Sequence, residues 1–534
     1  MQLDLAAVRA ASAAWPKPEG YRPSYGTAGF RDRAELLPST VFRCGLLVGL
    51  KAASSGQACG LMITASHNAE PDNGVKLVEP SGEMLEPAWE AHASALAAAG
   101  SDAELAELLR GVAAGLPAAP PGGSGQVIIG RDTRPSGERL AAAAAAGARA
   151  AGAAPLELGV VTTPELHFTV TTYNTFHALE EAAYFTALLE SFRSLAAGGA
   201  APGGPLRVDC ANGVGAAKLR QLAPSLAGLG LELELHNAGE GRLNHLCGAD
   251  YVQKEQTFPA GMADVPVGAR CASIDGDADR VVFFTKAPDG GFVLFDGDKI
   301  AALAAVFVKQ LLAAAPPGTA EGVAVGVVQT AYANGAATGF IEQTLGLAVR
   351  CTATGVKHLH HAAKAFDVGI YFEANGHGTV LFAPALLRRL QDMDAQVAVA
   401  QLLAVARLMN QTVGDALSGL LLVEAVVRRG TSLDDWRALY ADLPSRQLKL
   451  RVADRGAIGT ADAERRCTSP PGLQAAIDAA VSRYPQGRAF ARPSGTEDAV
   501  RVYAEASGQA EADALARDVA RAVFDLAGGV GERP

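Results

Sequence analysis

Short β-rich runs alternate with amphipathic stretches rich in Ala and Leu along most of the chain, and this alternation constrains the fold more than any other feature. The runs lie at 61–66, 126–132, 206–213, 271–277, 322–330 and 368–376. One of the stretches that should be helical spans 298–314. Strands that alternate with helices are typical of α/β layers with mixed or parallel sheets. The C-terminal part has strand-like segments followed by a helix over about 509–526, which predicts a smaller α+β domain.

Composition and charge narrow the class of protein. Of the 534 residues, 49% are hydrophobic and 19% are charged, so the chain can bury large cores. The formal net charge of −10 argues against a nucleic acid or an anionic membrane as the main partner. None of the seven cysteines has CxxC spacing, so we expect neither a zinc site nor a disulfide framework. The N-terminus lacks the features of a secretory signal, and we expect a cytoplasmic protein.

Loops are predicted from composition and from the way strands end. Three stretches rich in Pro and Gly, 111–125, 196–205 and 313–322, are predicted to be linkers or exposed loops. Several of the β-rich runs end directly in small, polar or acidic clusters. Because the ligands of open α/β sheets bind beyond the carboxyl ends of the strands, these clusters are the candidate site loops.

The cluster DGDADR places Asp275, Asp277 and Asp279 directly after an apolar run. Three carboxylates at this spacing can converge on one hard cation if the backbone loops around it, and oxygen ligands suit Mg²⁺ or Ca²⁺. An EF-hand loop would also need a glycine and a distal Glu at fixed offsets, and the distal Glu is missing. The alternative is an acidic surface turn without a metal.

The cluster TASHN places Ser66 between small residues at a predicted strand end, followed by His67. The GxSxG elbow of serine hydrolases is missing, so hydrolase chemistry is not favoured. A serine can instead carry a phosphoryl group, with positioning and charge neutralisation providing most of the catalysis. Lys76, in the following turn, could donate a hydrogen bond to a phosphate or serve as an acid–base group. The alternative is a structural turn serine.

The cluster RPSGTEDAVRV combines a guanidinium, two hydroxyls and flexible backbone N–H donors, which suits a phosphate cradle. Its candidate substrate-binding residues are Arg492, Pro493, Ser494, Gly495, Thr496 and Arg501. The same composition also occurs in plain loops, and that alternative stays open at this point.

The cluster EANGHG offers polar groups and close backbone approach to a sugar, with candidate residues Glu373, Ala374, Asn375, Gly376 and His377. Arg31, in YGTAGFR near the N-terminus, is a candidate to neutralise phosphate near Ser66. Each signal is weak alone, since a single histidine or arginine is more often structural.

In their order along one chain, TASHN, DGDADR, EANGHG and RPSGT resemble the α-D-phosphohexomutase superfamily. In that superfamily a serine loop, a metal loop, a sugar loop and a phosphate loop come in sequence from four domains. GTAGFR and GRDTRPSG (130–137) also fit its first domain. The resemblance implies three α/β domains with mixed sheets and a smaller C-terminal α+β domain around a central cleft, bounded at 1–190, 191–298, 299–445 and 446–534.

Within the superfamily, VDCANGVGAAKLR, TGVKHLHHAA and YFEANGHGT are similar to the eukaryotic-type branch that acts on N-acetylglucosamine phosphates. This implies an isomerase of UDP-N-acetylglucosamine biosynthesis that exchanges the 6-phosphate and 1-phosphate through a phosphoserine enzyme and a 1,6-bisphosphate. It implies one Mg²⁺ per subunit on Ser66, Asp275, Asp277 and Asp279, and a sugar 1,6-bisphosphate as activator. Lys76 is the candidate for proton transfer, with His67 behind it. The partners would be small sugar phosphates, and the chain a monomer or a homodimer.

The chain departs from the superfamily pattern at two positions. Ala69 stands where Pro usually follows TASHN, and it removes a fixed φ without removing a catalytic group. Val356 stands where bacterial relatives carry a histidine. If a histidine is needed, it must be one of His358, His360, His361 and His377.

Three alternative functions are weighed against this one. The first is a mutase of the same superfamily for glucose, mannose or glucosamine phosphates. The second is a metal-dependent phosphatase that uses Ser66, and the third is a sugar-phosphate sensor without catalysis. The presence of Ser66, the three aspartates and RPSGT together argues against the sensor.

Overall fold

The computed structural model describes residues 3–117, 125–177, 179, 181–393, 396–494 and 498–534. The chain forms two compact units. The first contains Met1–Asp296, Asn375–Thr379 and Leu403–Gly430, and the second contains Gly297–Ala374, Val380–Leu402 and Thr431–Pro534. Among the described helices, none is both long and apolar enough to cross a membrane.

The first unit contains two five-stranded mixed sheets. The first sheet has the order β1-β3-β2-β4-β5 and consists of β1 (Gly29–Arg33), β2 (Ala58–Ile63), β3 (Asp72–Val78), β4 (Gln126–Arg131) and β5 (Ala154–Val160). The second has the order β10-β9-β8-β6-β7 and consists of β6 (Leu206–Asp209), β7 (Leu233–His236), β8 (Cys271–Ile274), β9 (Val281–Lys286) and β10 (Phe292–Phe295). In each sheet two parallel pairings adjoin two antiparallel ones.

Two further sheets follow along the chain. One has the order β12-β11-β13-β14 and consists of β11 (Val325–Thr330), β12 (Ala348–Thr352), β13 (Val368–Phe372) and β14 (Gly378–Phe382). The last is antiparallel in the order β15-β19-β18 and consists of β15 (Ser445–Arg451), β18 (Arg488–Pro493) and β19 (Ala499–Glu505). A short hairpin joins β16 (Thr460–Ala461) and β17 (Arg466–Cys467).

Helices occupy most of the sequence between the strands. The described α-helices are α1 (Leu5–Ser12), α2 (Pro38–Ser55), α3 (Pro87–Ala98), α4 (Asp102–Ala114), α5 (Gly137–Ala150), α6 (Thr163–Phe176), α7 (Glu181–Ala196), α8 (Val214–Gly228), α9 (Ala249–Glu255), α10 (Gly297–Ala314), α11 (Gly335–Gly339), α12 (Val356–Ala363), α13 (Pro384–Gln391), α14 (Val397–Leu408), α15 (Ala416–Arg428), α16 (Leu433–Arg437), α17 (Leu473–Val481) and α18 (Gln509–Leu526). The predicted α/β architecture with a C-terminal α+β domain is confirmed.

The helix α5 contains a run of six alanines at 141–146, and this run has a packing role. The helix packs against α2. A Cβ added at Gly45 would lie 2.2 Å from the Ala144 carbonyl oxygen, and one at Gly147 would lie 2.0 Å from that of Phe42. Small residues are therefore required on both helices, since any larger side chain would force the two backbones apart.

The predicted elements agree with the structure to within a few residues. The helix expected over 298–314 is α10, and the one expected over about 509–526 is α18. Residue 196 ends α7 and residues 313 and 314 end α10, and the rest of 196–205 and 313–322 connects these helices to the next elements, as predicted for loops. The stretch 111–125 differs, because 111–114 belong to α4, and its residues 118–124 lie outside the described part of the chain.

Candidate active site

The serine loop begins where β2 ends, and it buries Ser66 almost completely. Ser66 has a φ of 48°, a left-handed conformation that is uncommon for a residue with a side chain. Its backbone N–H donates to Thr64 Oγ1 at 3.0 Å, and its Oγ donates to Asp277 Oδ2 at 3.0 Å. The local backbone thus directs the hydroxyl at the metal loop.

The metal loop follows β8 and curls around its own first carboxylate. Asp275 Oδ1 accepts from the backbone N–H groups of Asp279 at 3.1 Å and Arg280 at 3.2 Å, and Ala278 adopts a φ of 57°. All three aspartates are buried, and one ligand oxygen from each lies within 4.8 Å of the others. In Asp275 and Asp277, one buried oxygen has no hydrogen-bond partner among the described residues. Such buried, unsatisfied carboxylate oxygens fit a hard cation such as Mg²⁺.

Lys76, expected in a turn, lies within β3, and it neutralises part of this negative charge. Its Nζ lies 2.8 Å from Asp277 Oδ2 and 2.6 Å from Asp279 Oδ2, with all three side chains largely buried. Burial lowers the pKa of Lys76, but the two carboxylates outweigh it and raise that pKa above its usual value. Burial and repulsion from Asp279 and Asp277 hold the pKa of Asp275 well above its usual range. A further positive charge beside Asp275 would therefore stabilise its ionised form.

His377 lies beside the metal loop. Its Nδ1 is 3.2 Å from Asp279 Oδ1, and its backbone N–H donates to Asn375 Oδ1 at 3.0 Å. Gly376 has a φ of 84°, and a Cβ there would lie 1.9 Å from the Val281 carbonyl oxygen, so only glycine fits. Glu373 and Ala374 belong to the second unit.

The open question of a histidine can now be narrowed. His377 contacts a carboxylate of the metal loop, whereas His360 lies in α12 with its Nδ1 3.0 Å from the Tyr371 hydroxyl. His360 is buried and packs edge-on against the Tyr371 ring. His377 is therefore a histidine that the first unit itself places beside the metal loop.

Arg31 of β1 and His67 of the serine loop lie close enough for the Arg31 charge to act on the His67 ring. Arg31 is exposed and its Nη1 donates to Asn68 Oδ1 at 3.0 Å. Burial and the positive charges of Arg280 and Arg31 hold the pKa of His67 well below its usual range, so its ring is neutral. A neutral imidazole can accept a proton but adds no positive charge to the site.

Three further residues of the first unit hold the reacting groups and were missed from sequence. Thr163, at the start of α6, donates its hydroxyl to Asp277 Oδ2 at 2.6 Å. Asn244 donates to the Ser66 carbonyl at 2.8 Å, and Arg134 donates to the same carbonyl at 3.0 Å. Arg134 lies in GRDTRPSG, so its position after β4 was the available signal, whereas Thr163 and Asn244 stand in unremarkable local sequence.

The phosphate loop of the second unit starts from paired strands. Arg492 on β18 lies directly opposite Arg501 on β19. The Arg492 guanidinium donates to the Tyr332 hydroxyl at 3.0 Å and to Glu464 Oε1 at 3.2 Å. Pro493 ends β18, and the Ser494 N–H donates to the Ala499 carbonyl at 2.8 Å. The predicted ligands Gly495 and Thr496 lie outside the described residues.

Family models match four successive regions of the chain. Those of the phosphoacetylglucosamine mutase AMG1 match domain II at residues 180–282 and domain III at 296–431. Those of phosphoglucomutase/phosphomannomutase match the alpha/beta/alpha domain I at 47–104 and 95–187, and the C-terminal domain at 448–522. The four-domain superfamily resemblance is confirmed.

Individual relatives match over the full length. The chain is 47% identical to human phosphoacetylglucosamine mutase over 546 residues, which cover 100% of this chain and 99% of that protein. The structure of Aspergillus fumigatus N-acetylphosphoglucosamine mutase in complex with GlcNAc-6P and magnesium is 44% identical, with a TM-score of 0.91 over 98% of this chain and 99% of that one. A complex of the same fungal enzyme with glucose 1,6-bisphosphate is 45% identical, with a TM-score of 0.92 over 98% of both chains. On these matches the chain belongs to the phosphoacetylglucosamine mutase family.

Proposed function

We propose that this chain interconverts N-acetylglucosamine 6-phosphate and N-acetylglucosamine 1-phosphate, with Ser66 as the phosphoryl carrier. The observation that carries the proposal is the 3.0 Å contact of Ser66 Oγ with Asp277 inside the buried cluster that contains Lys76. The fungal relative that binds GlcNAc-6P and magnesium, and glucose 1,6-bisphosphate in a second structure, supports the substrate and the intermediate.

The three aspartates, with a phosphoryl oxygen on Ser66, would hold Mg²⁺, which when bound would neutralise charge on the transferring group. The rest of the chemistry belongs to the chain itself. The Ser66 hydroxyl donates to Asp277, and this bond leaves the Oγ lone pairs free for a phosphoryl group. The protonated Lys76 is held by Asp277 and Asp279, and it adds a fixed positive charge beside the reacting oxygen.

Two phosphoryl transfers complete the reaction. In the first, O1 of the sugar attacks the phosphorus on Ser66, the P–Oγ bond breaks, and a 1,6-bisphosphate forms. In the second, Ser66 Oγ attacks the phosphorus at O6, and the bond between that phosphorus and O6 breaks. In the first step O1 loses a proton and the released Ser66 Oγ gains one, and in the second step Ser66 Oγ loses that proton and O6 gains one. Lys76, which is protonated, is proposed to give a proton to the leaving oxygen, and His67, which is neutral, is proposed to accept one from the attacking oxygen. Arg31 is proposed to neutralise the phosphoryl group.

The substrate contacts remain proposals. Arg492, Pro493, Ser494, Gly495, Thr496 and Arg501 would bind the phosphate that is not transferred. Glu373 and Asn375 would hold the sugar, with Ala374, Gly376 and His377 completing that loop. The boundaries at 190, 298 and 445 are supported by family models that end and begin nearby. A cytoplasmic protein that exists as a monomer or a homodimer and acts in UDP-N-acetylglucosamine biosynthesis fits this activity.

A proton and phosphorus NMR time course tests the proposal. Purified protein, Mg²⁺, N-acetylglucosamine 6-phosphate and a trace of glucose 1,6-bisphosphate should yield the 1-phosphate, and Ser66→Ala should yield none. Conversion of glucose or mannose phosphate alone would contradict the substrate and keep the mechanism. Free phosphate as the sole product would contradict the mutase reaction itself.

A further inference from the structure

Arg134 is a fully buried arginine whose hydrogen bonds concentrate on the serine loop. Its guanidinium donates to three backbone carbonyls between β2 and β3 and to that of the first residue of β3. Nη2 binds the carbonyls of Ser66 at 3.0 Å and Asn68 at 2.8 Å. Nη1 binds those of Ala69 at 2.6 Å and Asp72 at 2.8 Å. One planar group thus fixes four points along a short loop, which the rigid fork of arginine permits and a single ammonium does not.

Asp132 balances the charge of Arg134 and extends the network. Its Oδ2 accepts from Arg134 Nε at 3.0 Å, and its Oδ1 accepts from the Arg134 backbone N–H at 3.0 Å. The Thr64 hydroxyl donates to the same Oδ2 at 2.7 Å and accepts from the Ser66 N–H at 3.0 Å. Both backbone polar groups of Ser66 are therefore tied, directly or through Thr64, to the Asp132–Arg134 pair.

The conformation held in this way is an unfavourable one. A left-handed φ of 48° at Ser66 persists only where surrounding contacts over-determine it. The direction of the side chain follows from the backbone, so relaxation of φ would move Oγ away from Asp277 Oδ2, now 3.0 Å distant. A displacement of about 1 Å can reduce a reaction rate about 100-fold.

We propose that Arg134, balanced by Asp132, is a positioning residue that holds the phosphoryl carrier Ser66 in its reactive conformation. It acts through the backbone of the serine loop. The inference rests on the proposed role of Ser66, and it goes further by assigning a function to GRDTRPSG.

Two variants and one control separate positioning from general stability. Arg134→Lys keeps a positive charge beside Asp132 but cannot reach four carbonyls. Thr64→Val is nearly isosteric and removes only the hydroxyl that links Asp132 to the Ser66 N–H. The control is Arg131→Lys in the same motif, because Arg131 forms a surface pair with Glu138, whose side chain is 80% exposed.

The measurements are kcat and KM for N-acetylglucosamine 6-phosphate, the rate of Ser66 phosphorylation by glucose 1,6-bisphosphate, and the Tm of each variant. We expect Arg134→Lys to lower kcat and the phosphorylation rate about 100-fold, with KM within about twofold of wild type. Thr64→Val should lower both rates about tenfold, and Arg131→Lys should change neither. A loss of kcat without a change in KM distinguishes misplacement of Ser66 from loss of substrate binding.

Three outcomes would overturn the inference. A folded Arg134→Lys with kcat within threefold of wild type would show that the loop needs no such anchor. A raised KM with unchanged kcat would place Arg134 in substrate binding instead. If Arg134→Lys does not fold, Thr64→Val decides the question. A kcat of that variant within twofold of wild type would show that this network does not position Ser66. If Ser66 of the wild type is not phosphorylated by glucose 1,6-bisphosphate, the proposed function itself is contradicted, so that failure is distinguishable from a failure of this inference.

Discussion

The serine and metal loops of the first unit and the phosphate loop of the second unit hold their charges in different ways. Asp277 alone accepts from Ser66, Lys76 and Thr163 through one oxygen, and all of these groups are buried or nearly so. Arg492 is 18% exposed and shares its guanidinium between Tyr332 and Glu464.

This difference matches the two proposed tasks, phosphoryl transfer at Ser66 and phosphate binding at Arg492. A reacting centre gains most from groups that need no reorganisation at the moment of transfer. A side chain that must bind either the 1-phosphate or the 6-phosphate benefits from a protein partner that the incoming phosphate can displace. Glu464 fits that description, because its carboxylate binds Arg492 and the Thr354 N–H as a phosphate oxygen would.

The largest expected effect on catalysis comes from a change in the buried cluster of Ser66, Lys76 and the three aspartates, which is called the reaction centre below. Lys76→Met removes the positive charge between Asp277 and Asp279, so kcat should fall about 1,000-fold while KM changes little. Steady-state kinetics with N-acetylglucosamine 6-phosphate measure this. The matched control is Lys51→Met, since Lys51 is equally buried but pairs with Glu79. A Lys76→Met enzyme with a kcat within tenfold of wild type would contradict the claim that the fixed Lys76 charge supports phosphoryl transfer at the reaction centre.

A smaller effect, of opposite kinetic character, is expected at the phosphate loop. Arg492→Lys loses the planar two-point binding that suits a phosphate, so KM should rise about 30-fold with kcat nearly unchanged. Titration calorimetry with the 6-phosphate should show the same loss of affinity. The control Arg483→Lys changes an arginine paired with Asp518 at the surface and should leave KM alone. A fall in kcat without a rise in KM in Arg492→Lys would contradict the proposal that Arg492 acts in binding and the Ser66 cluster in catalysis.

The pH dependence of stability sharpens the comparison. Burial lowers the pKa of His167 in the first unit to about 4, and its Nδ1 lies 2.6 Å from the Gly82 carbonyl oxygen. In the unfolded state His167 is therefore protonated below about pH 6.5, whereas in the folded state it stays neutral down to about pH 4. Stability from this group is complete above about pH 6.5 and is lost as pH falls towards 4, by about 2 kcal/mol at pH 5.

Urea unfolding of wild type and His167→Gln at pH 7 and pH 5 measures the expected loss. The variant lacks the titrating group, so its stability should fall less between the two values by about 2 kcal/mol. Equal losses in both proteins would show that His167 does not oppose protonation in the fold.

The smallest expected effect comes from a change at Glu464, the partner of Arg492 that the substrate phosphate would displace. Glu464→Gln removes the negative charge beside Arg492, so KM for the sugar phosphate should fall about threefold. Asp462→Asn, two residues away and paired with Arg465 at the surface, is the control. A raised KM in Glu464→Gln would mean that Glu464 contacts the substrate and does not compete with it.

Sequence reasoning reached the parts of the site that are local. Ser66 and the three aspartates follow strands in short clusters, and such clusters carry their chemistry in adjacent residues. Asn244 could not be found from sequence because its function lies in a contact with the Ser66 carbonyl, 178 residues away. For Arg134 the sequence offered only a motif that follows a strand, and its contact with the Ser66 carbonyl spans 68 residues. The sequence also grouped His377 with the sugar loop, whereas its ring lies beside Asp279.

The central claim is that Ser66 carries the phosphoryl group, and peptide mass spectrometry after reaction with ¹⁸O-labelled glucose 1,6-bisphosphate tests it most directly. The account predicts a labelled phosphate on the peptide that contains Ser66. The label should leave that peptide and appear in sugar bisphosphate when unlabelled N-acetylglucosamine 6-phosphate is added. Label on another residue, or label on Ser66 that N-acetylglucosamine 6-phosphate does not remove, would contradict the account.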